Sequence, residues 1–190
     1  MRRILASLIS CAALAVGLST SMNGTALASA APQPGVYYEI FPPYANPTAH
    51  KCLDVPNGTT TEGVALQVFH CHGYDSHGGP QLWQFINVGG GNYWIVNQAS
   101  GRCLGGFYSS TPGVGQTAQY NCGAVSYLYW QIVPSAFDPD GFELASPWVT
   151  GYCLSTRNSL GDDHTPVVLY PCDNSATFNG RVQGEDWRLG

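Results

Sequence analysis

The chain has 190 residues, of which 12% are aromatic, 23 are Gly and only 10% are charged, with a formal net charge of −5. Gly, Ser, Thr, Asn, Tyr and Trp dominate at the expense of Lys and Glu, and long helix-forming stretches are few, so the composition predicts an all-β fold. An acidic balance argues against nucleic acid and anionic membrane as partners, because either requires a basic surface to neutralise phosphates.

The N-terminus carries Arg2 and Arg3, an apolar run from Ile4 to Leu18, and Ala26-Leu27-Ala28-Ser29-Ala30, which offers two small-x-small cleavage sites. Residues 1–30 therefore read as a secretory signal cleaved after Ala28 or Ala30, and the expected destination is extracellular. The run is short for a membrane span and no basic stop-transfer cluster follows it, so membrane insertion is not expected. Without Arg2 and Arg3, five of the seven Lys and Arg face twelve Asp and Glu, a formal charge of −7. Cys11 leaves with the signal, and six cysteines remain.

Ala31 to Gly35 reads as an exposed leader, and residues 36–190 as one domain of ordinary size. Val36 to Ile40 is the first strand-like run, and Pro42-Pro43 and Asn46-Pro47 are loop. Cys52 to Val55 is a short strand closed by the turn signal Pro56-Asn57-Gly58; Leu66 to His70 and Trp83 to Val88 follow, the last ended by Gly89-Gly90-Gly91. The next four runs are Tyr93 to Asn97, Arg102 to Leu104, Gln116 to Asn121 and Trp130 to Val133. The last four are Phe142 to Ala145, Tyr152 to Ser155, Pro166 to Tyr170 and Trp187 to Leu189.

The chain thus repeats. Cys52, Cys103 and Cys153 open three units about fifty residues apart, Cys71, Cys122 and Cys172 follow at one spacing, and Trp83, Trp130 and Trp187 close them. Each unit holds its own cysteine pair, which selects Cys52–Cys71, Cys103–Cys122 and Cys153–Cys172 as disulfides. Each closes a loop of about twenty residues, worth on the order of 3 kcal/mol in the chain-entropy picture. Three units of four short strands can bury their alternate apolar residues only around one shared core.

Cys52-Leu53-Asp54-Val55, the segment Leu66-Gln67-Val68-Phe69-His70-Cys71 and Gln81-Leu82-Trp83 resemble the ricin B-chain type β-trefoil, in three copies over the mature chain. The resemblance implies a β-trefoil of three four-stranded units and a non-catalytic lectin or carbohydrate-binding module for galactose- or xylose-type sugars or their polymers. It implies core roles for the three tryptophans. It also implies one shallow sugar pocket per unit, built from an aspartate after the first Cys-Leu, an aromatic two before the second cysteine, and an Asn-Gln pair before the Trp.

In the first unit those places hold Asp54, Phe69 and Gln81, with Gln67 and Asn57 placed to add polar contacts, while Pro80 replaces the Asn. Asp54 would accept from hydroxyls, Phe69 would stack on the apolar sugar face, and Gln81 would orient Asp54 or bond the ligand. His70 and His72 are candidate replacements for the missing donor. The alternative for Asp54 is a turn residue bonding local backbone amides. Unit two has Gly105 and Tyr127-Leu128 at the polar places, and unit three Ser155 and Gly184-Glu185, although Tyr120 and Tyr170 remain. At most one conventional site is expected. The alternative function is a trefoil with decayed sugar sites that binds a protein, as an inhibitor or interaction module, through loops such as Asp173 to Glu185.

His70-Cys71-His72 with His77 has metal-like composition, but Cys71 is committed to a disulfide; Asp162-Asp163-His164 reads as a solvated turn rather than a cation or hydrolase site. No metal or cofactor is expected, and no nucleophile elbow, phosphate loop or zinc-protease signature is present to support catalysis. Asn57-Gly58-Thr59 fits a glycosylation sequon. Nothing in the sequence defines an oligomer.

Overall fold

A computed structural model describes residues 31–43, 50–73, 79–108, 114–136, 138–157, 162–172 and 185–190. The signal, His77 and most of the loop from Asp173 to Glu185 lie outside the described residues. Within them are twelve strands in chain order. Unit one contributes β1 (Tyr37–Phe41), β2 (Lys51–Asp54), β3 (Gln67–His70) and β4 (Leu82–Gly89). Unit two contributes β5 (Asn92–Asn97), β6 (Cys103–Phe107), β7 (Gly115–Tyr120) and β8 (Trp130–Pro134). Unit three contributes β9 (Phe142–Ser146), β10 (Tyr152–Thr156), β11 (Thr165–Pro171) and β12 (Asp186–Leu189).

The first and last strands of each unit close a six-stranded antiparallel barrel: β1 pairs β4, β4 pairs β5, β5 pairs β8, β8 pairs β9, β9 pairs β12 and β12 returns to β1. Closure removes the unpaired edges that an open sheet would expose. The inner strands of each unit form hairpins β2–β3, β6–β7 and β10–β11, and β11 joins the cap by pairing with both β7 and β3. Gly89, Gly90 and Gly91 all have positive φ at the β4–β5 turn, as a hairpin closed by three glycines requires. The structure is a β-trefoil.

The core repeats with the chain. Trp83, Trp130 and Trp187 are fully buried, and each indole Nε1–H donates to the carbonyl of the leucine that follows its unit's first cysteine, Leu53, Leu104 and Leu154, at 2.9 Å in every case. A buried indole needs such a partner, and the leucine carbonyl supplies it while fixing the start of each cap hairpin against the barrel. The three disulfides pair as expected, each joining residues 19 apart. The leader turns back at its end, where Gln33 N–H donates to the Tyr38 hydroxyl.

The turn between the two cap strands of one unit docks on the neighbouring unit. In unit one the carboxylate of Glu62 accepts from the backbone N–H of Asn121 at 3.1 Å and from its Nδ2 at 3.0 Å, while Gln119 Nε2 donates to the carbonyls of Thr59 and Thr61. In unit three Asp163 Oδ1 accepts from the backbone N–H of His70 at 2.7 Å and from Lys51 Nζ at 2.6 Å. The Asp162-Asp163-His164 segment is an exposed turn, as expected, and Asp163 and His164 also make contacts to unit one from it. Docking is what brings unit three to the candidate site.

Candidate functional site

Strand register places the site. Asp54 ends β2 opposite Gln67 on β3, and Cys52 lies opposite Phe69, so Asp54, Gln67 and Phe69 share one face of the hairpin. Gln81 arrives from a 3-10 turn, Gly79–Gln81, just ahead of β4.

Asp54 is only 5% exposed and forms the floor. Its Oδ2 accepts from Gln67 Nε2 at 2.8 Å and its Oδ1 from Gln81 Nε2 at 3.2 Å, so its partners are side-chain amides and not local backbone. Burial pushes the Asp54 carboxyl above its ordinary range; the two glutamine N–H groups, and His72 and His164, offset this only in part. Gln81 is fully buried and its amide is committed: Nε2 also donates to the His70 carbonyl at 3.0 Å and Oε1 accepts from the His72 backbone N–H at 2.8 Å. Gln81 therefore orients Asp54, with both of its amide N–H groups taken up inside the protein. Asn57 sits exposed in the Pro56–Gly58 turn with φ 57° and is not part of this hydrogen-bond chain.

Phe69 is half-buried, and imidazoles surround it. Ring centroids lie 4.1 Å away for His70, 5.9 Å for His72 and 4.9 Å for His164. His70 and His72 are 4.7 Å from each other. His70 Nδ1 also lies 3.4 Å from Asp163 Oδ2. Desolvation works to raise the Asp163 carboxyl, but hydrogen bonds from Lys51 Nζ and from the backbone and ring of His70 outweigh it and hold it below its usual range. The metal reading fails on chemistry: Cys71 is in its disulfide, and the clusters of metal-type donors among the described residues centre on disulfide sulfurs instead.

Units two and three do not repeat the site. At Gly105 an added Cβ would lie 2.9 Å from Tyr120, 3.1 Å from Leu128 and 3.3 Å from Tyr127, so aromatic and aliphatic carbon fills the place of the aspartate. Tyr120 packs edge-on to Tyr127 and Phe107, and burial, with Tyr127 and Glu62 nearby, pushes its phenol up. The partners of Asp54 are gone as well, since Ala118 pairs with Gly105 and buried Leu128 precedes Trp130 as Gln81 precedes Trp83. In unit three, Ser155 is buried and turns its hydroxyl to the Thr156 carbonyl at 3.2 Å, opposite Val168, while Tyr170 is 43% exposed.

A closed barrel capped by three hairpins defines a β-trefoil. The ricin-type β-trefoil lectin domain family matches residues 44–179, and the chain belongs to that family. Among curated proteins none matches. The fold is similar to that of a designed threefold-symmetric protein, ThreeFoil, with a TM-score of 0.66 and 24% identity over 80% of this chain and 96% of that one. It is similar to part of an exo-β-1,3-galactanase from Clostridium thermocellum (0.64, 21% identity), covering 82% of this chain but 30% of the enzyme. A third likeness is the Macrolepiota procera ricin B-like lectin, solved in complex with lactose (0.61, 20% identity, 83% of this chain and 96% of that one). At these identities the likenesses establish the fold.

Proposed function

We propose that the mature protein is a secreted, non-catalytic lectin with one sugar site, in unit one. The observation that carries this reading is the Asp54 carboxylate, 5% exposed and held by two glutamine amides, on the same hairpin face as the half-buried Phe69 ring. A carboxylate so fixed accepts from vicinal hydroxyls, and a ring beside it covers the C–H face of a pyranose. The lactose complex of the Macrolepiota procera lectin supports a galactose-type ligand, and xylose-type polymers are the second class to test. A single shallow pocket binds with something like millimolar affinity, about −4 kcal/mol, so retention on a polymer is the sensitive assay.

The test is retention of the disulfide-intact mature protein on insoluble galactan and xylan, with lactose titration alongside, for wild type, Asp54→Asn and Phe69→Ala. Wild-type retention lost in both variants, with unfolding midpoints close to wild type, is the expected result. Retention unchanged in Asp54→Asn overturns the assignment. Secretion is tested separately by N-terminal sequencing from culture medium, which should begin after Ala28 or Ala30.

Exposed Tyr108 and Trp148, each 57% accessible, favour a second reading in which the cap binds a protein. Absence of any glycan binding, with a stoichiometric protein partner recovered, would select it.

A further inference from the structure

We infer that the sugar site, as proposed above, is composite, and that His164 of unit three is a specificity-determining residue of it. The family pattern assigns ligand contacts within one unit, and His164 lies 97 residues from Gln67 in the chain.

The first observation is its backbone. His164 has φ 66°, in the left-handed region where a residue with a Cβ costs roughly 1 kcal/mol relative to glycine. The corresponding turn of unit one is built alike. There Gly63, with φ 79°, donates its N–H to the Gln119 carbonyl, as His164 donates to the Val68 carbonyl at 2.9 Å. Unit one thus uses the residue that backbone sterics favour, and unit three holds a histidine in the same conformation. Strain kept where a glycine would fit points to a side chain with a task.

The second observation is where that side chain goes. The His164 ring lies against Phe69 at 4.9 Å, and its Nδ1 is 3.1 Å from Gln67 Oε1. Because Gln67 Nε2 donates to Asp54, its Oε1 is an acceptor, so His164 Nδ1 must carry the proton. A continuous chain results: His164 Nδ1–H donates to Gln67 Oε1, Gln67 Nε2 donates to Asp54, and Asp54 accepts in turn from Gln81 Nε2. The tautomer leaves His164 Nε2 as an acceptor when the ring is neutral. With Asp54 also accepting, acceptors from two units stand near Phe69 and select a ligand that donates from neighbouring hydroxyls, a neutral pyranose diol. The other groups facing this corner are Asp54, His72, His70 with Asp163, and Lys51 bound to Asp163.

Two substitutions separate this from a packing role. His164→Gly relieves the backbone and removes the ring; His164→Asn tolerates the left-handed conformation and keeps an N–H for Gln67. Lactose and xylotetraose titrations and unfolding midpoints are measured for wild type and both variants at pH 7.5. The inference expects His164→Gly to weaken sugar binding at least fivefold at pH 7.5 with an unfolding midpoint equal to or above wild type. It expects His164→Asn to recover part of the affinity. Wild-type affinity retained by His164→Gly overturns the inference and leaves the lectin reading standing. A binding loss matched by a fall in midpoint overturns it too, because the histidine would then serve the fold. Failure of wild type to bind either sugar overturns the lectin reading and this inference together.

Discussion

Replacing Gly105 with aspartate tests whether unit two has lost its site by deletion or by filling. Gly105 occupies in β6 the register place that Asp54 occupies in β2, opposite Ala118 rather than Gln67. An added Cβ at 2.9 Å from Tyr120 and 3.1 Å from Leu128 forces ring and methyl carbons to move, an overpacking cost of about 1–3 kcal/mol. The carboxyl would then lie among Tyr120, Tyr127 and Leu128 without the two amides that hold Asp54, which adds about 1–3 kcal/mol for an unsatisfied buried acceptor, more when ionised. Gly105→Asp should therefore lose about 2–6 kcal/mol, a large part of the 5–15 kcal/mol usual for a domain. Guanidinium denaturation with disulfides intact measures it, and neither sugar retention nor lactose binding should be gained. Adding Leu128→Gln, which places an amide where Gln81 stands in unit one and removes a contact, should recover about 1 kcal/mol or more through coupling of the two sites. A single variant within about 0.5 kcal/mol of wild type would show that the place is empty, and the filled-pocket reasoning would fail.

Three further outcomes follow from other parts of the molecule. Asp138 is 6% exposed and takes two hydrogen bonds at 2.7 Å from half-exposed Arg188, whose N–H groups hold its carboxyl below the ordinary value of 3.8. Asp138→Ala should cost about 2 kcal/mol at pH 7. Because the folded value is depressed, that stability is present above the ordinary value and lost as pH falls through the folded one, so the gap between variant and wild type should close in acid denaturation series. Asp54 has the opposite sign: burial raises it, so the fold loses stability as pH rises from 3.8 through its folded value. Asp54→Asn should gain on wild type over that window when midpoints are compared at successive pH values. Removing the Cys153–Cys172 pair by alanine should lower stability by about 3 kcal/mol in guanidinium titration.

The frame of the molecule is legible because a threefold repeat states its own register. Each Cys-Leu needs a buried indole to cover its carbonyl, each cysteine pair closes one hairpin, and the glycine triplet closes β4 to β5; all of these are local or set by one spacing. The strand runs expected from alternation and turn signals correspond to twelve strands, with ends moved by a few residues, such as Val36 to Ile40 against Tyr37–Phe41. The short 3-10 turns Gly79–Gln81 and Ser126–Leu128 were not legible, because neither run has a hydrophobic period. They matter, since they bury Gln81 and Leu128 at matching places with opposite consequences for an acid. Asp54, Phe69 and Gln67 share one face of the β2–β3 hairpin, and Asn57 occupies the left-handed position of the turn that follows β2, outside their hydrogen-bond chain. His164 was read only as part of a turn. The signal that could have found it is its alignment with Gly63 before the second cysteine of the unit, a histidine where a glycine is favoured.

Closure of the ring explains why unit one can hold an arrangement of side chains that units two and three do not repeat. The docking turns serve the same mechanical purpose in units one and three, tying each hairpin to its neighbour through a carboxylate and a backbone N–H. That purpose requires only the acid and the turn, so the residue beside the acid is free to differ. At the junction of units one and two the neighbour is Gly63, which adds nothing to the face of Tyr120. At the junction of units three and one it is His164, whose ring reaches Phe69 and whose proton reaches the amide of Gln67. The core, with Trp83 fixed to the carbonyl of Leu53, sets the backbone one residue before Asp54 and so positions the acid without reference to any ligand. The repeated core therefore supplies position, and the unrepeated junction supplies the side chains on which the proposed recognition rests. Symmetry in the first and asymmetry in the second are compatible because they reside in different atoms.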